Sequence, residues 1–506
     1  MTHRVLAGSA FMAVATAALM VDWRSLSLGQ EQVPAPVPLP NTALTANDRY
    51  LGVGSCASPA CHGGSDSAEN EKQRGKWNSA YTVWVQRDRH AKAFAVLYSA
   101  ESKKILRNLD HLELGADPAP HRDERCLACH SASVPNQSAV HGNASLEGRA
   151  FAADGVGCEA CHGAARGWLA EHTARTWSKT DAATHRDTHG SSADADGRMV
   201  NTRDMTVRAG VCVDCHVGSP RADGLPGRNM DHDMIAAGHP RLTFEMSAFL
   251  ANMPRHWDDR GEKSREDYAA HVWAVGQFAT TQAALRLLAA RAKAAEMSPE
   301  TARWPELSEY DCYTCHHRLS LDSYRQKALD GAGHKAGKDK GSRKLGRFVW
   351  GTWYLPMTRL LAAERGAGAS GLASVDRVVK LMEDPNPRPS DVRAAAAAAA
   401  QAMQKALEGA SKDHYQRDCV DRMLLAAVNR PAANWDEACG EYLLFRAACA
   451  KDPRFTEPLA ALRELLQFRD KPQANGPPIQ YNSPFDFVPA AFNNKINELR
   501  GLLPRQ

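Results

Sequence analysis

Five times in this chain a pair of cysteines is followed at once by a histidine, and no other feature limits its fold so tightly. The five are Cys56-Ala-Ser-Pro-Ala-Cys61-His62, Cys126-Leu-Ala-Cys129-His130, Cys158-Glu-Ala-Cys161-His162, Cys212-Val-Asp-Cys215-His216 and Cys312-Tyr-Thr-Cys315-His316. In a C-x-x-C-H site the two thiols form thioethers with haem vinyl groups, and the short spacer sets the next imidazole beneath the iron as its proximal ligand. Zinc knuckles, disulfides and redox dithiols also use paired cysteines. None of them asks for histidine in the next position, and 20 histidines among 506 residues would rarely fall there five times by chance. The sequence therefore predicts five covalent haems c, with His62, His130, His162, His216 and His316 as proximal ligands. The first motif is the irregular one, since its four-residue spacer, with Pro59, must bulge for both sulfurs to reach their vinyls.

The N-terminus has the layout of an export signal. Met1 to Arg4 precede an apolar stretch, 5–21, and the polar Asp22-Trp-Arg24. Residues 1–29 are read either as a signal peptide cleaved near Ser27-Leu28-Gly29 or as a retained inner-membrane anchor, the stretch being slightly long for the first and slightly short for the second. Both readings make the body periplasmic, where c-type haem is attached in bacteria. The formal charge of +4 needs correction for cofactor. Each oxidised haem with ionised propionates brings about one negative charge, so the loaded protein is near neutral and gives no support to nucleic-acid binding.

Residues 30–47, rich in Pro, Val and Ala, read as a linker. The segment 48–325 holds every motif and has few long apolar runs, so buried porphyrins would supply much of its interior and the apoprotein should be largely unfolded. Apolar spacing predicts helices over 77–98 and 266–296. A Gly- and Lys-rich loop, 330–346, marks a boundary, and 346–506 reads as a helical domain without haem. Within it Ser390 to Gly409 has an N-cap serine, an alanine body and a terminal glycine, and 436–450 and 492–503 also look helical. The expected fold is mainly α: a multihaem cytochrome c fold with little regular sheet, plus the C-terminal helical domain. Thirteen cysteines less ten leave Cys419, Cys439 and Cys449, as one disulfide with a free thiol or as three buried thiols.

Gly155-Val-Gly-Cys-Glu-Ala-Cys-His-Gly163 with Trp168-Leu-Ala-Glu-His172, and Asp88-Arg-His-Ala-Lys-Ala-Phe94, resemble the c-554 family of multihaem cytochromes over roughly residues 50 to 220. Its haem scaffold is shared with hydroxylamine-oxidising and pentahaem nitrite-reducing enzymes. The resemblance implies that His90 is the sixth ligand of the third haem and His172 that of the first. Longer relatives of this kind point to His239 and His232 as sixth ligands of the fourth and fifth haems, with His271 competing. The family's second haem is five-coordinate. Here His141 stands between the second and third motifs and either fills that position or leaves it open. The chain departs from the family in its fifth haem, enlarged first motif and helical tail, and it lacks the C-x-x-C-K site of pentahaem nitrite reductases.

Other constellations weigh less. His185 and His189 lie in a polar, loop-like stretch, and His317 must point away from the iron beside His316. The methionines near the motifs, among them Met199, Met205, Met230, Met234, Met246 and Met253, are read as packing, and Arg125 and Arg241 as propionate partners. The leading reading is a periplasmic electron carrier between a redox donor and acceptor. The alternative is a haem oxidoreductase acting on a small nitrogen or sulfur oxide, or on nitric oxide or hydroxylamine, at one five-coordinate iron.

Overall fold

The computed structural model describes residues 50–131, 151–174, 177, 186–187, 199–220, 227–312, 315–316, 348–366, 369–467, 470–473, 476–480 and 487–504. The signal or anchor, the linker, His141, His185, His189, His317 and the 330–346 loop lie outside these residues. As expected, the fold is mainly α. Two short ladders accompany the helices, Arg186–Asp187 parallel to Met199–Val200 and Asp470–Gln473 antiparallel to Gly476–Gln480. Among the described residues no helix is long and apolar enough to cross a membrane.

The motif-bearing part is made of short helices divided by capped breaks. The expected helix over 77–98 is one example, since it splits into turns at Lys76–Ser79, Arg89–Lys92 and Ala95–Tyr98 around a helix at Ala80–Arg87. The break falls at Asp88, which takes an extended conformation and accepts the His90 amide with its carboxylate. Asp and Asn side chains compete with the helical ladder in this way, and here the competition aims a histidine. The second, third and fourth motifs each close a helix, at Glu124–His130, Cys158–His162 and Met205–His216. One helical turn sets cysteines three apart on the same face, as two thioethers to one porphyrin require. Asp123 and Asp204 cap two of these helices.

Apolar packing is uneven. Around the second motif it amounts to Phe94, Leu97, Leu127 and Ala152, and near Val200 to that residue and Val207. The main core begins at Ala209 and runs to Leu503. At its centre is Tyr268–Met297, where 18 of 30 residues are buried, so the helix is covered on nearly all sides as an all-round apolar helix must be. Gly276 lets it close on Met246, because a Cβ there would stand 2.5 Å from the Met246 Cβ. It packs chiefly on the alanine-rich Pro389–Lys412 and on the Met205–His216 helix, so it joins the motif-bearing part to the C-terminal helices. Those helices are Pro356–Glu364, Ala369–Met382, Pro389–Lys412, Arg417–Val428, Trp435–Cys449, Thr456–Leu466 and Pro489–Arg500.

Two details differ from expectation. Pro389 opens the alanine-rich helix at its first turn and Ser390 makes no cap, while Gly409 is interior to it. Proline suits a first turn because its missing N–H has no helical partner there. Cys419, Cys439 and Cys449 are free thiols, the first half-buried and the others buried.

Candidate functional site

Four pairs of histidine rings face each other at nearly one separation. His62 and His172 have ring centres 6.0 Å apart and planes at 22°. The values are 6.1 Å and 73° for His90 and His216, 6.3 Å and 83° for His130 and His239, and 6.2 Å and 25° for His232 and His316. Two metal–imidazole bonds of about 2 Å, plus about 1.1 Å from each coordinating nitrogen to its ring centre, span roughly 6 Å. The spacing fits an iron between the rings of each pair, and in each pair one member directly follows a cysteine pair.

Local structure selects the nitrogen that faces inward. Nδ1 of His62 donates to the Trp77 carbonyl at 2.7 Å, Nδ1 of His130 to Ala93 at 2.8 Å and Nδ1 of His239 to Pro240 at 2.8 Å. A carbonyl only accepts, so the proton sits on Nδ1 and the Nε2 lone pair is left for a metal. His90 does the same with a carboxylate, Asp88 Oδ1, at 2.9 Å. Burial pushes His216 down to about 4 and lowers His130 too, which keeps both neutral as metal binding needs. The hydrogen bond to Asp88 raises His90. Phe244 and Phe249 flank the His216 ring, and Trp168 meets His172 edge-on.

The cysteines approach one another between sites. The side chains of Cys56 and Cys158 are electrostatic neighbours, as are those of Cys129 and Cys215. Cys161 lies in the field of Cys212 and Cys215. These neighbours place the sites in the order first, third, fourth, second. Cys312 shares its surroundings with Arg241 and Asp436. Arg241 also lines a shallow open cleft with Met230, Ile235, Leu287, Trp350 and Tyr354.

Of the implied pairings, the ring of His172 lies opposite that of His62 and the ring of His232 opposite that of His316. His90 faces His216 of the fourth motif and not His162 of the third. His239 faces His130 of the second motif and not His216 of the fourth. His162 makes contacts of its own outside these four pairs. His271 packs on Tyr415 and faces no proximal ring. Arg125 pairs with Asp110 and Asp123 at the surface, and Arg241 with buried Asp436 at 3.0 Å. Met234 and Met246 are buried in packing.

Several supporting residues escaped the sequence reading. Glu159, in the third spacer and 5 % exposed, accepts the amides of Leu51, Gly52 and Ala165, which ties the third site to the first. Asn78 donates to the carbonyls of Pro59 and Cys61 and holds the enlarged first loop. Arg228 donates to the Ala128 carbonyl and lies in the field of Asp214, Cys129 and Cys215. An acid inside an attachment spacer was the one signal in sequence that pointed to any of them.

A mainly helical chain with haem-attachment motifs and imidazoles paired across an iron's width is a c-type cytochrome, with covalent haem c and a role in electron transfer. Residues 56–163 match the family model described as cytochrome c554 and c-prime, so this segment is similar to that family. The match is narrower than the resemblance, ending at Gly163. No curated protein and no solved structure matches the chain.

Proposed function

We propose that this protein is an exported, periplasmic pentahaem cytochrome c that passes single electrons between two redox protein partners. The observation that carries the reading is the four ring pairs at 6.0–6.3 Å, because an iron with an imidazole on each side is saturated and suited to electron exchange with little rearrangement. The ten motif cysteines would hold the porphyrins, His62, His130, His162, His216 and His316 would bind the near faces, and His172, His90, His239 and His232 the far faces of all but the third. When bound, haem supplies the one-electron iron couple. The chain's own residues fix imidazole tautomers through Trp77, Ala93 and Pro240, and burial keeps His130 and His216 neutral. The neighbouring of Cys56 with Cys158, of Cys161 with Cys212 and of Cys129 with Cys215 favours a path through the first, third, fourth and second sites. The segment 48–325 would do the electron transfer, while 346–506 would brace it.

The oxidoreductase alternative depended on an open iron beside His130, and the facing ring of His239 weakens it. Haem content by pyridine haemochrome, intact mass and electron paramagnetic resonance of the oxidised protein test the proposal together. Five haems per chain, with the iron beside His130 low-spin, are expected. A bare polypeptide mass from mature material, or a high-spin signal from that iron, would overturn it.

A further inference from the structure

Among the axial imidazoles whose Nδ1 partner is a carbonyl or a carboxylate, His90 is set apart by its carboxylate. Asp88 Oδ1 receives the ring proton at 2.9 Å and the His90 amide at 3.0 Å, so a two-residue turn holds carboxylate and imidazole in register. Asp88 is only 4 % exposed, and among the described residues no lysine or arginine stands within ion-pair distance of it. A backbone carbonyl fixes the tautomer and does little more. A carboxylate also draws the ring proton toward itself, which makes the opposite nitrogen a stronger donor to a metal. The oxidised iron carries the extra positive charge, so a stronger donor and a buried anion both favour the ferric state.

We propose that Asp88 is a positioning residue that gives the iron between His90 and His216 an imidazolate-like axial ligand, and so sets that iron below its neighbour between His130 and His239 in potential. Cys129 neighbours Cys215, so the step in potential falls between adjacent haems and directs an electron from the fourth site to the second. The inference rests on bis-histidine haem ligation as proposed above.

Asp88→Asn keeps the side-chain shape and leaves a neutral acceptor. In a potentiometric titration of the haem-loaded protein, one wave is expected to move to higher potential while the others stay. Asp204→Asn serves as the comparison. It removes a carboxylate that caps the helix carrying Cys212 and Cys215 but touches no imidazole, and it is expected to move none. A second measurement needs no variant: near-infrared magnetic circular dichroism of the oxidised wild-type protein should place one low-spin charge-transfer band at higher energy than the rest. If Asp88→Asn carries five haems and every wave is unchanged, or if the wild-type bands coincide, the assignment to Asp88 is wrong and the electron-transfer reading stands. Absence of covalent haem would instead remove the reading on which both depend.

Discussion

An imidazole can serve an iron only if its second nitrogen is held as a donor, and in this protein the backbone does that holding at three of the paired histidines. His239 shows the economy of the device, since its ring is fixed by the carbonyl of the very next residue, Pro240. His239→Ala should leave the iron beside His130 with a single imidazole. The expected outcome is a new high-spin signal in electron paramagnetic resonance and a Soret shift on adding cyanide, with haem content unchanged. A spectrum that stays low-spin would mean that another side chain, His141 first among them, takes the place. The sequence could propose proximal ligands because covalent spacing leaves an imidazole after Cys-x-x-Cys few other places to go. The partners of His130 and His216 were not, because a distal bond joins residues far apart in the chain: His90 and His216 are 126 positions apart by their numbers.

At the scale of elements, helix existence followed from apolar spacing and alanine content, while helix ends followed from individual side chains. The long helix was expected at 266–296 and lies at Tyr268–Met297, because its burial on nearly every side overrides any choice of face. The predicted helix over 77–98 failed at one residue, Asp88, whose carboxylate competes for a nearby amide. Trp273 tests the central helix, being fully buried in the main core. Trp273→Ala should cost about 3–5 kcal/mol through lost burial and the cavity left behind. Leu114→Ala, at a side chain 95 % exposed, should stay within about 0.5 kcal/mol. Denaturant unfolding followed by far-ultraviolet circular dichroism separates the two, and equal midpoints would contradict the packing.

Over the whole molecule, apolar packing is concentrated from Ala209 onward, and the earlier motifs have clusters of only four and two buried residues. A largely unfolded apoprotein was the sequence expectation, and this distribution narrows it to the N-terminal part. Hydrogen exchange of protein made without haem should show rapid exchange over residues 50–200 and persistent protection in 268–297 and 389–412. Protection across 50–200 in the haem-free chain would show that the cofactors are not the missing core. The sequence by itself determined the cofactor class and the helical class, because these depend on spacings of a few residues that covalent geometry and helical pitch constrain. Only the tertiary structure decided which histidine faces which iron, which motif neighbours which, and where Asp88 and Glu159 act, because those relations depend on how distant segments pack and no local pattern encodes them.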